Sequence, residues 1–139
     1  MNNRTGKCDC GAVEYECSES PINSVFCYCT SCQQRTNSDK YFGIWVRENG
    51  FAFKKGETKT FVRKGSSGKD MVHHFCSNCG NTVAVYVEAG QFYTVSVTTL
   101  ENSEGLAPQM SIYTASAPNW ATFPEGVPKY NTLPESMGG

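Results

Sequence analysis

Long apolar runs are missing from this chain. No stretch approaches the roughly 18 consecutive apolar residues of a membrane-spanning helix, and the opening MNNRTGKCDC lacks the apolar centre of a secretory leader. An excess of charge of one sign is missing as well. The 12 Lys and Arg nearly balance 13 Asp and Glu, without a basic run or stripe, so the electrostatic footprint of a nucleic-acid or membrane-surface binder is absent. Helical periodicity is scarce, only TSCQQRTNS suiting a short helical turn, and histidine is limited to His73 and His74. These absences point to a cytoplasmic protein whose partners are small molecules rather than nucleic acid or membrane. Oligomeric state is not legible from them.

What is present has the period of β-strands. Runs rich in Val, Tyr, Phe and Thr recur between glycine and polar breaks: residues 11–17, 24–29, 41–47, 51–55, 59–63, 70–76, 82–88 and 91–97. Each alternates or clusters as half-buried strands do. Ser66, Ser67 and Gly68 read as a loop tip between two of them, and prolines recur in the tail from Ala107, which predicts an ordered loop or irregular structure there. The 139 residues fit a single domain, 1–139, that buries a core unaided. The expected fold is all-β with little helix.

Eight cysteines stand out against that background. In a chain without secretory features they favour metal thiolates over disulfides. Cys8 and Cys10 form C-x-C, Cys27, Cys29 and Cys32 form C-x-C-x-x-C, Cys76 and Cys79 form C-x-x-C, and Cys17 stands alone. Sulfurs two or three positions apart converge on one tetrahedral ion at about 2.3 Å each. Seven clustered cysteines are one short of two closed four-thiolate sites. A structural zinc is closed by four protein ligands, whereas a catalytic zinc keeps three and leaves one position open. Cys27, Cys29 and Cys32 are the natural open set. Cys8 and Cys10 joined to Cys76 and Cys79 would pin the N-terminal strand to a distant hairpin as a structural zinc site. Competing readings are a C-x-x-C redox pair and plain buried thiols. Gly80, Asn81 and a strand follow Cys79, which is unlike a redox motif opening a helix. Cys17 reads as core.

CDCGAVEYEC, CYCTSCQQRT, HHFCSNCGNTV and SIYTASAPNW resemble, in order and spacing, the glutathione-dependent formaldehyde-activating family, which includes centromere protein V. The resemblance runs from about Lys7 to Tyr130. It implies a zinc-binding fold of several antiparallel sheets, of the β-tent or complex β-sandwich kind, with two zinc ions. The motif cysteines matching Cys8, Cys10, Cys76 and Cys79 would hold the structural ion, and those matching Cys27, Cys29 and Cys32 the ion at the active site. It also implies a carbon–sulfur lyase activity joining glutathione to formaldehyde, with a small thiol and an aldehyde as partners.

Three thiolates on a divalent cation leave a formal charge of minus one, which weakens it as an activator of water and suits a soft thiol instead. A proton donor is then required, and His73, His74, Tyr28 and Tyr113 are the candidates. Two adjacent strand residues face opposite ways, so at most one histidine serves. Arg35 and Arg47 are the candidate cations for glutathione carboxylates. Gln33 and Gln34 either orient a peptide-like ligand or cap the short turn, and Trp45 and Trp120 either wall a pocket or fill the core. The alternative function is a non-catalytic binding module with two structural zincs, its second site closed by Cys17, a backbone group or a partner. A methionine sulfoxide reductase is disfavoured because no cysteine follows Cys79.

Overall fold

A computed structural model describes residues 3–134. They form ten strands, one short α-helix and three 3-10 turns, the strands and α-helix being β1 (Arg4–Lys7), β2 (Glu14–Cys17), β3 (Asn23–Cys27), α1 (Thr30–Thr36), β4 (Tyr41–Arg47), β5 (Phe51–Lys55), β6 (Thr58–Lys64), β7 (Asp70–Cys76), β8 (Thr82–Val87), β9 (Phe92–Ser96) and β10 (Met110–Ile112). The expected class, a multi-sheet β fold with little helix, is what forms. β4, β5 and β7 have the bounds their alternation predicts, and the loop around Ser67 joins β6 to β7. β1 and β10 were not legible as strands.

The chain divides into two compact units, Met1–Asn23 with Ile44–Gly105, and Ser24–Gly43 with Leu106–Gly139. In the first, β1, β2 and β5 make a small sheet in that order, and β9, β8, β7 and β6 follow one another as an antiparallel meander ending at β6. β2 buries alternate residues, Tyr15 and Cys17, as its EYEC pattern requires. Tyr15 packs on Phe51 at 5.3 Å between ring centroids, and its hydroxyl shares a 2.6 Å hydrogen bond with Thr99 Oγ1. Val83, Ala84 and Val85 of β8 are all buried, the continuous apolar run of a strand covered on both faces. Gly56, at φ +78°, sits where a Cβ would fall 2.1 Å from the Ala12 carbonyl oxygen, so only glycine fits.

The second unit is built on β3 and β10, whose register sets Val25, Phe26 and Cys27 beside Met110, Ser111 and Ile112. This pair runs parallel, the one parallel pairing named here beside the antiparallel ones. The two strands are far apart in sequence, and a crossover of that length permits a parallel return where a tight hairpin does not. The described part of the proline-containing tail bonds to β10: Ser111 N–H donates to Pro128 O and Tyr130 N–H to Ser111 O. Tyr28, fully buried, donates its hydroxyl to Thr122 O at 2.6 Å and packs on Phe123 at 4.7 Å. No helix among the described residues is long and apolar enough to cross a membrane.

Candidate metal centres

In the first unit, β7 ends at Cys76 and a tight turn follows, closed by Gly80 N–H on Cys76 O at 2.8 Å with Gly80 at φ +78°. That turn carries Cys79 back beside Cys76. Just after β1, Gly11 N–H donates to Cys8 O and brings Cys10 round to Cys8. Asp9 N–H donates to Asn81 Oδ1 across the two turns. The sulfurs of Cys8, Cys10, Cys76 and Cys79 all lie within 4.8 Å of one another, with 3.7 Å from Cys8 Sγ to Cys10 Sγ and from Cys10 Sγ to Cys76 Sγ. Tetrahedral ligands about 2.3 Å from an ion stand about 3.8 Å apart. The four donors therefore fit a zinc ion in kind and in spacing.

N–H groups aim at these sulfurs. Val13 N–H donates to Cys8 Sγ at 3.3 Å, Asn78 N–H to Cys76 Sγ at 3.3 Å and Asn78 Nδ2 to Cys10 Sγ at 3.2 Å. The Asn78 amide is the leading reason that the Cys10 thiol is brought down to about 6. Donors of this kind stabilise thiolates and orient them toward a cation.

In the second unit, Cys27 ends β3 and Cys29 caps α1, its Sγ accepting from Cys32 N–H at 3.3 Å. Asn37 closes the helix in the left-handed conformation, its N–H on Gln33 O. Strand end and first helical turn thus present Cys27, Cys29 and Cys32 with their sulfurs within 4.8 Å of one another. Among the described residues no fourth cysteine, histidine or carboxylate joins them at that distance. The set is crowded with like groups. The Cys29 side chain, foremost, pushes the Cys27 thiol up to about 12, and Cys27 in turn drives Cys32 well above its usual range. A divalent cation among the three sulfurs would remove that conflict by holding all three ionised.

Gln33 holds this turn in place. Its Nε2 donates to Tyr28 O, between Cys27 and Cys29, at 2.8 Å and to Ser116 O at 2.9 Å. The amide nitrogen is engaged with backbone, so Gln33 positions the cysteine turn, and Gln34 is exposed. Arg35 occupies the last turn of α1, three residues beyond Cys32. Arg47 is exposed at the end of β4 and belongs to the first unit. Tyr28 is spent on Thr122 O, and burial pushes its hydroxyl up to about 12. Tyr113 directly follows β10 and adopts φ +56°, a conformation that a bulky residue rarely takes.

The histidines belong to the first unit. His73 is buried and accepts from Arg63 Nε at 2.9 Å, while half-buried His74 shares a 3.0 Å hydrogen bond with Thr58 Oγ1, and burial lowers its pKa. Trp45 stacks on Phe92 at 4.5 Å, whereas Trp120 is 66% exposed. Cys17 joins neither set; it is buried in β2 and pushed up to about 12 by burial. All eight cysteines are free of disulfides.

Two clusters of cysteine sulfur on a multi-sheet β frame define a protein with candidate thiolate metal centres. Residues 3–116 match the model of the glutathione-dependent formaldehyde-activating enzyme family, and the chain belongs to that family. No curated protein matches it. A crystal structure of a Rhodobacter sphaeroides protein, a Northeast Structural Genomics target, has a similar fold, with a TM-score of 0.57 and 21% identity over 91% of this chain and 98% of that one.

Proposed function

We propose that the whole chain is one domain of this family and acts as a carbon–sulfur lyase, joining a thiol to an aldehyde at the set made by Cys27, Cys29 and Cys32. Glutathione and formaldehyde, the pair in the family's description, are the substrates. The observation that carries this reading is the contrast between two sets. Four sulfurs surround one centre, and three surround the other with no fourth cysteine, histidine or carboxylate among the described residues. Cys8, Cys10, Cys76 and Cys79 would hold the structural zinc. A zinc ion at the three-cysteine set would supply an open ligand position suited to a soft thiol, keeping it ionised at neutral pH.

In the reaction a bond forms between the thiol sulfur and the aldehyde carbon. The C=O π pair moves onto oxygen, and the proton lost by the thiol is made good on that oxygen. Tyr113 Oη is the proposed donor, because Tyr113 follows β10 directly where that strand runs beside Cys27 and its two rivals in the first unit are a buried histidine and a half-buried one. Gln33 fixes the turn that carries the thiolates. Arg35, in the last turn of α1 beyond Cys32, is the proposed partner of a glutathione carboxylate. A reducing cytoplasmic setting keeps such a site intact.

The test is exchange spectroscopy by NMR on 13C-formaldehyde and glutathione. Zinc-loaded protein should speed exchange between free aldehyde and S-hydroxymethylglutathione, and Cys29→Ser should abolish the effect while the four-cysteine set keeps its metal. No acceleration by fully loaded protein, or acceleration that survives Cys29→Ser, would refute the reading. The first outcome would favour a binding module in which both zincs are structural.

A further inference from the structure

β6 ends its sheet, with β7 as its neighbour, and it pairs with β7 from Thr58↔Cys76 to Lys64↔Asp70 without a register shift. The hairpin loop fixes which backbone groups face outward. Gly65 N–H donates to Lys69 O at 2.9 Å, so Gly65 belongs to a hydrogen-bonded pair. In an antiparallel ladder such pairs recur every second residue. Arg63, Phe61 and Lys59 therefore turn their N–H and C=O groups toward β7, while Lys64, Val62, Thr60 and Thr58 turn theirs to the open edge. The far side of β7 agrees, since Asp70 O accepts from Glu88 N–H at 3.1 Å, pointing toward β8.

Edges of this kind are usually blunted by a bulge, a proline, a short length or charged side chains, lysine above all. β6 has seven residues, no bulge and no proline. It also carries Phe61 at 48% and Val62 at 50% exposure, adjacent members of the few large apolar side chains so exposed. Lys59, Arg63 and Lys64 are on the strand with no acidic residue among its seven. Lys64 reaches Asp70 at 2.7 Å and Arg63 reaches His73, yet every charged residue of the strand is cationic, so this edge is guarded by positive charge alone.

These features favour one class of occupant. A second copy pairing over all seven residues would centre on Phe61 and set Lys59 against Arg63 at both ends, a like-charge opposition that disfavours it. An acidic strand meets cations there instead. We propose that β6 receives an extended acidic segment of a partner protein as an added strand. Its backbone would bond to the outward groups of Thr58, Thr60, Val62 and Lys64, its carboxylates would lie along Lys59 and Arg63, and an apolar side chain would cover Val62.

The probe is a fluorescein-labelled octapeptide alternating glutamate and valine, titrated into the zinc-loaded full chain by anisotropy, with a lysine–valine octapeptide as control. Saturable binding of the acidic peptide alone is expected, with amide shifts centred on Thr58–Lys64. Val62→Pro removes an outward N–H and spares the β7 pairing, and should weaken binding about tenfold or more, the equivalent of about 1.4 kcal/mol. Lys59→Glu should weaken it as well. Unchanged zinc content and circular dichroism show that the variants fold. Absence of saturable binding, equal binding of the basic control, or indifference to Val62→Pro would overturn the proposal. So would a concentration-dependent dimer that protects the β6 amides from exchange, which would give the edge to a second copy.

Discussion

Replacing Gln33 with alanine removes a side-chain amide whose Nε2 spans two carbonyls, Tyr28 O at 2.8 Å and Ser116 O at 2.9 Å. A neutral hydrogen bond contributes about 0.5–1.5 kcal/mol net. The Tyr28 contact is partly buried and takes the middle of that range, whereas the Ser116 contact is exposed and takes its lower end. Together they give about 1.5 kcal/mol, which in a domain of this size lowers the melting temperature by roughly 4–8 °C. Gln33→Glu sharpens the test. Its carboxylate would face two carbonyl oxygens with nothing to donate, so at neutral pH it should be less stable than the alanine variant. Protonation restores one donor. Such a Glu has a folded pKa above the unfolded value of about 4.3, so its stability is present below that value and lost as pH rises. Differential scanning calorimetry of zinc-loaded wild type, Q33A and Q33E between pH 4.5 and 7.5 measures this. Equal melting of all three at neutral pH, or a Q33E deficit that does not shrink on acidification, would refute the positioning role.

Further consequences are open to direct measurement. Tyr15→Phe deletes the buried bond to Thr99 Oγ1 and should cost about 1–2 kcal/mol by urea titration of the holoprotein. Gly56→Ala forces a Cβ onto the Ala12 carbonyl at positive φ and should cost about 2 kcal/mol or more in the same assay. Burial opposes ionisation of Asp39, yet the Thr122 N–H and the Lys40 ammonium prevail and hold its carboxyl below the ordinary range. That stabilisation is present above the unfolded pKa near 3.9 and is lost as pH falls through the lower folded value, so the stability gap between wild type and Asp39→Asn should narrow in acid titrations below about pH 4. Tyr113→Phe should lower kcat by about 100-fold or more, measured by the exchange assay, with both metals retained.

Parts of this fold were written plainly in the residues. YFGIWVR, FAFKK and DMVHHFC are bounded by turn residues and alternate, and they became β4, β5 and β7 at those bounds. RTGK gave no such signal because β1 is polar and owes its place to pairing with β2. MSI is too short to show a period, and β10 exists because β3 lies alongside it. The cysteine sets were legible because ligand spacing is local: C-x-C and C-x-x-C fold back within single turns. Gln33 was legible only as a choice between orienting a ligand and capping the turn, since its second partner lies 83 positions away. The left-handed Tyr113 was not legible, since its conformation comes from the tail bonding, with Tyr113 N–H on Thr132 O. Outward backbone at β6 depends on hairpin phase, which the Gly65–Lys69 bond reveals.

The contrast between a closed four-sulfur set and an open three-sulfur set is tested most directly by metal content. Protein purified under reducing conditions without a metal-binding tag should contain two zincs per chain by elemental analysis. A mild chelator should remove one of them while circular dichroism stays unchanged, and Cys29→Ser should lack that same labile ion. A single tightly held zinc, with Cys27, Cys29 and Cys32 freely alkylated in the native protein, would contradict the account.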